Sequence, residues 1–152
     1  MVPKDMDTEA AEIYGNSKFL ENLNHERSYN AGLGCETMEY FLRMREADGS
    51  LSRIVLKMQV EFGRRGVKAT LFGAGKQIVS LHTDHLHTNP DRLTIPRPHK
   101  HYQKNGASRW AYHVNDPFDM KDPTEVFHHF CNECNVEEGP FGQMFMPYTG
   151  RS

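Results

Sequence analysis

The sequence predicts an α+β fold: a single domain in which an antiparallel sheet of about six short strands packs with an N-terminal and a C-terminal helix. Three observations carry that expectation. Apolar and polar residues alternate with a period of two on both sides of Asp48-Gly49, from Met38 to Met44 and again from Ile54 to Phe62, as a half-buried β-hairpin does. Asn105-Gly106, a dipeptide suited to the left-handed turn of a tight hairpin, lies between His99-Lys-His101-Tyr102 and Ser108-Arg-Trp-Ala-Tyr-His113. Asp122-Pro-Thr-Glu125 combines an N-cap, a proline at the first helical position and an acid three residues past the cap. A chain of 152 residues is long enough to bury a core as one domain. Within it, 1–34 is expected as helix and loop, 35–113 as sheet with a histidine-rich loop, and 114–149 as helix and tail.

The elements follow in order. Residues 7–24 open with Asp7 or Thr8 as N-cap and with acidic residues suited to the positive end of a helix. Ala10, Ile13, Leu20 and Leu23, with Tyr14 and Phe19 beside them, approximate an apolar face, which Gly15 and Asn16 interrupt. His25 to Gly34 reads as a loop. In the hairpin, Met38, Tyr40, Leu42 and Met44 share one face, and so do Ile54, Leu56, Met58, Val60 and Phe62. A second pair follows, from Val67, Ala69 and Leu71 across Gly73-Ala-Gly75 to Gln77-Ile-Val-Ser-Leu-His82, which ends a strand on His82. From His87 to Pro98 the prolines, with Asn89 and Asp91, forbid a helix or a central strand. Beyond them His99 and His101 project to one side of a strand and Lys100 to the other. In the last helix Val126, Phe127, Phe130, Cys131 and Cys134 make one buried face, and the apolar tail from Phe141 is expected to pack on the sheet or on a partner.

Composition narrows the setting. With 38% hydrophobic and 25% charged residues the chain reads as a globular protein, and no apolar run approaches the ~20 residues of a membrane helix. Met1-Val-Pro-Lys-Asp lacks the apolar core of an export signal, so a cytoplasmic location without membrane contact is expected. Three cysteines in such a chain point to reduced thiols; Cys35 is expected to be buried, and Cys131 and Cys134 to be core residues rather than a zinc knuckle. The net charge of -2 conceals a segregation. Residues 1–52 carry 5 Lys/Arg against 10 Asp/Glu, residues 53–109 carry 11 against 3, and residues 110–152 carry 2 against 7. A basic middle third suits either a polyanion-facing surface or a solvated strand face.

One stretch, from His82 to His101, holds five of the nine histidines: His82, His85, His87, His99 and His101. Clustered imidazole serves proton transfer, metal ligation or anion binding. The first reading is metal-independent cleavage of RNA, without cofactor. His99 and His101 are the acid-base pair, His82 or His85 assists, and Arg92, Arg97, Lys100, Arg109 and Trp110 hold the nucleic acid. The second is a noncatalytic binding protein, such as a phage or prophage inhibitor of a host defence complex, or the partner of an antitoxin or a nucleic acid. The third is a metal protein using three of the five histidines, although their spacing matches no familiar zinc motif. His25, His113, His128 and His129 read as structural.

The run His87-Thr-Asn-Pro-Asp91, then Ile95-Pro-Arg-Pro-His99-Lys-His101-Tyr102, Trp110-Ala-Tyr112 and Phe130-Cys-Asn-Glu-Cys134-Asn-Val136, resembles a small uncharacterised domain family of bacterial and prophage genomes. The resemblance spans roughly residues 53–136 and brings no assigned activity. The chain departs from that pattern at Arg92, where a glycine usually follows the Asn-Pro-Asp turn, and at Lys100, where an apolar residue usually separates the two histidines. More distantly, His82 to His101 resembles TumE-type toxins of toxin-antitoxin modules. That likeness implies a compact α+β sheet and RNA cleavage.

Overall fold

The computed structural model describes residues 3–30, 34–61, 66–115 and 120–137. Its elements in chain order are α1 (Thr8–Gly15), β1 (Lys18–Asn30), β2 (Cys35–Arg45), β3 (Leu51–Glu61), β4 (Gly66–Gly73), β5 (Lys76–His82), β6 (His87–Thr88), β7 (Thr94–Ile95), β8 (His99–Lys104), β9 (Ala107–His113), α2 (Pro123–Glu133) and β10 (Val136–Glu137). The α+β class is as expected, but the main sheet has eight strands rather than six, in the order β10-β1-β2-β3-β4-β5-β8-β9. It is also mixed, because β10 pairs with β1 in parallel while the other neighbours are antiparallel. β6 and β7 form a separate two-stranded ribbon.

The extra strands come from segments read as helix and loop. α1 stops at Gly15, where Asn16 turns extended, so the helix expected over 7–24 covers only its first part. Lys18–Asn30 becomes β1 because the outer edge of β2 offers a row of unpaired backbone groups, and pairing them outweighs the weak helical pattern of Leu20 and Leu23. Asp7 holds the N-cap position of α1, yet its carboxylate accepts the backbone N–H groups of Asn105 and Gly106, both at 2.8 Å, and so ties the helix to the β8–β9 turn. Asn105 and Gly106 both adopt positive φ, as that two-residue turn demands.

The central hairpin forms in the register its alternation requires, with Leu42 opposite Ile54 and Tyr40 opposite Leu56, all buried. β4 and β5 continue the layer, and Val67, Ala69, Leu71, Val79 and Leu81 join the same core. A Cβ at Gly73 would press on Ile54 and Ile13, whose side chains would have to shift to admit it. Asp122 caps α2 by accepting the Thr124 N–H, and Val126, Phe127, Phe130, Cys131 and Cys134 are buried as the spacing indicates. Both helices lend their apolar faces to this one core. Cys35 is only half-buried, at the start of β2, rather than inside. Phe62 and the tail from Phe141 lie outside the described residues. Among the described residues no helix is long and apolar enough to cross a membrane.

Two buried lysines anchor the layers. Lys18 Nζ donates to the carbonyls of Tyr14, Asn16 and Cys134, at 3.1, 2.6 and 2.5 Å, which places a cation on the carbonyl-rich ends of both helices. Burial lowers its pKa to about 8. Lys100 Nζ pairs with Glu133 at 3.1 Å, and the Tyr14 hydroxyl donates to the same carboxylate at 2.7 Å. Burial works against the ionised Glu133, but the Tyr14 hydroxyl and the Lys100 ammonium outweigh it and keep the group acidic. If the core face is as described, Leu42→Asp should destabilise the protein by at least ~3 kcal/mol, because a charge would be stranded in the core. Glu39→Gln, on the opposite face of the same strand, should change stability by less than ~0.5 kcal/mol. Chemical denaturation of the two variants checks the register.

Candidate functional site

The opposite face of the sheet carries the histidines. β5 and β8 pair antiparallel with His82 opposite His99 and Ser80 opposite His101, so the period of two puts His82, His99 and His101 on one side. Lys100 and Leu81 face each other on the other side. One ring nitrogen from each of the three histidines lies within 4.8 Å of the others, and the Nε2 atoms of His99 and His101 are 3.2 Å apart. The ring centroids of His82 are 5.2 Å from those of His99 and 4.8 Å from those of His101.

Neighbouring groups orient the rings. His101 Nδ1 lies 3.0 Å from the Ser108 carbonyl oxygen, which can only accept, so Nδ1 carries the proton and Nε2 keeps its lone pair. His99 Nε2 stands 3.2 Å from that lone pair. His99 Nδ1 is buried, and the His85 backbone at this ring works against the lowering of its basicity. His82 Nε2 lies 3.1 Å from Ser80 Oγ, which is in turn 3.0 Å from Thr70 Oγ1. Burial, followed by the neighbouring His101, lowers the pKa of His82 to about 3; burial and His101 lower that of His99 to about 4. His101 is lowered by burial and then by His87. Near neutral pH these three imidazoles are uncharged, the form that offers a lone pair.

The segment between β5 and β8 folds over this face. Thr83 ends β5 with its N–H on the Val67 carbonyl at 3.2 Å and its hydroxyl accepting the Val67 N–H at 2.9 Å. Asn89 then imitates a strand residue at the outer edge of β9, donating to the Ala111 carbonyl at 2.9 Å and accepting its N–H at 2.8 Å. This places His87 with its ring 4.3 Å from His101 and 5.8 Å from His99, and with Nε2 2.8 Å from the Arg109 carbonyl.

The expected site residues therefore divide. His82, His99 and His101 converge. His85 stands at the edge of the group, half-exposed, its ring 6.3 Å from His82 and its Nε2 3.1 Å from Asp84. Arg97 is exposed, with a guanidinium nitrogen 3.5 Å from the Asp84 carbonyl, and Arg92 and Arg109 are exposed elsewhere on the covering segment and on β9. Lys100 is corrected outright: it is 1% exposed, on the opposite face, and paired with Glu133, so it cannot meet a nucleic acid. Trp110 is half-buried against the core on that same face, beneath Lys104 Nζ at 3.9 Å. His87 is expected only as one of five candidate metal ligands, and Ser80 and Lys68 are not expected at the site. Ser80 could have been found two residues before His82 on its strand face, whereas Lys68 shows itself only through its pairing with His82 across β4 and β5.

A family described as a family of unknown function (DUF6978) matches residues 72–136, which contain all of the converging histidines. No curated protein and no solved structure matches the chain.

Depressed histidine pKa values make stability fall in acid. The unfolded values lie near 6.5 and the folded ones near 4 for His99 and 3 for His82, so between these limits the unfolded chain binds more protons. The contribution is intact above about pH 6.5 and is lost as the pH falls towards the folded values. Urea unfolding of chelator-treated protein between about pH 7 and pH 4 should show this decline, and His82→Gln or His99→Gln should flatten it.

Proposed function

We propose that this protein binds a divalent transition metal, zinc in the first instance, through His82, His99 and His101. The observation that carries the reading is their convergence. Nitrogens around one tetrahedral zinc, each at ~2.1 Å, stand roughly 3.4 Å apart. The 3.2 Å contact between His99 and His101 meets that spacing, and the 4.8 Å limit for the whole set lies within small ring movements of it. The Ser108 carbonyl and the Ser80 hydroxyl hold outer nitrogens of His101 and His82, the support that metal-ligating imidazoles use to fix tautomer and aim. An all-imidazole set suits zinc, copper, nickel or cobalt better than calcium or magnesium, which prefer oxygen.

Acid-base cleavage of RNA by His99 and His101 draws support from their contact and from the arginines of the covering segment. It requires one imidazole to be protonated while the other is neutral. Three histidines lowered in basicity first by desolvation, His99 buried and His82 and His101 partly so, supply the neutral form readily and the protonated form poorly, which favours ligation.

Isothermal titration with zinc should give one site per chain, and elemental analysis of purified protein should find the metal. His101→Ala should abolish stoichiometric binding, and Ser80→Ala should weaken it by about tenfold or more. Cys134→Ala, at the core cysteine of α2, should cost roughly 1 kcal/mol of stability and leave binding unchanged. Binding that survives the loss of His101, or RNA cleavage that is insensitive to chelators and lost with His101, would replace this reading with the acid-base one.

A further inference from the structure

We propose that the three-histidine centre keeps one coordination position open to the cavity beside His82, and that this cavity takes a small oxyanion, phosphate or carboxylate, held by Lys68. The inference rests on the metal reading above and assigns its open position a ligand class.

Three protein ligands leave a fourth tetrahedral position, the arrangement of centres that bind an exchangeable ligand. His87 does not close it: its ring is 4.3 Å from that of His101, but among the described residues the nitrogens that converge are those of His82, His99 and His101. A cavity of about 240 Å³ opens against His82, the one of the three histidines that lines it, with Lys68, Glu61, Asp84 and His85 in its wall. A water takes up ~30 Å³, so the space holds an oxyanion with several waters.

The charges around it are disposed for a single negative charge. Lys68 stands directly opposite His82 in the β4–β5 register and lines the same cavity. Among the described residues it forms no ion pair, while Lys76, Lys100 and Lys104 each do. A divalent ion and Lys68, set against Glu61 and Asp84, leave one net positive charge in the cavity wall. Asp84 is held in place by its 3.1 Å contact with His85 and by the absence of a side chain at Gly66, where a Cβ would collide with its carboxylate. Arg97, beside the Asp84 carbonyl, adds a cation next to this wall.

Cobalt-loaded protein tests the proposal, because the visible bands of cobalt report its coordination. Titration with sodium phosphate, and separately with sodium acetate, should shift those bands to saturation for at least one of the two; a response to phosphate alone selects phosphoryl ligands, and to acetate alone carboxylates. Lys68→Gln should weaken the responding anion roughly tenfold while cobalt affinity stays within about twofold, and Lys68→Arg should retain most of the anion affinity. Bands that neither anion moves, with cobalt still bound, would overturn the open position and leave the metal reading standing. An anion response that Lys68→Gln does not change would overturn the role of Lys68. Failure to bind cobalt at all would remove the metal reading itself.

Discussion

The pairing of β5 with β8 is the constraint on which the site depends. His82 opposite His99 and Ser80 opposite His101 follow from one antiparallel register, and slipping it by a single residue would send the histidines into the core and Lys100 out of it. The register is secured from the buried side. Leu81 and Val79 must pack beneath the sheet, and Lys100 must reach Glu133 on α2, because breaking a buried pair by removing one partner is far costlier than the pair is worth. The core face therefore determines what the other face displays.

The opposite face gains its chemistry from how it is covered. β9 ends the sheet, and an open edge of that kind invites pairing with another chain. Here the Asn89 side chain fills part of that edge by bonding both backbone groups of Ala111. The same covering segment removes water from the histidines. Their depressed basicity and their availability as ligands thus share one origin, the desolvation that accompanies edge protection.

Charge along the sequence has two different fates in the fold. The basic middle third supplies Arg92, Arg97 and Arg109 to the exposed surface, but its Lys100 is consumed by an internal ion pair and its Lys68 lies against the histidine cavity. A cation count alone could not separate these, because what a lysine does depends on whether a carboxylate waits on the facing element. Glu133 does so for Lys100 from a helix more than thirty residues further along the chain.

The sequence by itself determined the elements whose signals are local. The alternation about Asp48-Gly49, the Asn105-Gly106 turn and the Asp122-Pro123 cap each rest on backbone geometry set within a few residues, and each appears where its pattern lies. It also placed His99 and His101 on one face, since that needs only the pleat of a single strand. Tertiary structure decided the rest. Lys18–Asn30 became a strand because β2 had an edge to complete, β10 added itself in parallel, and His82 joined His99 only through a pairing between strands separated by a proline-rich segment. Those outcomes depend on backbone partners far away in the chain, and a residue carries no local mark of the partner that will meet it.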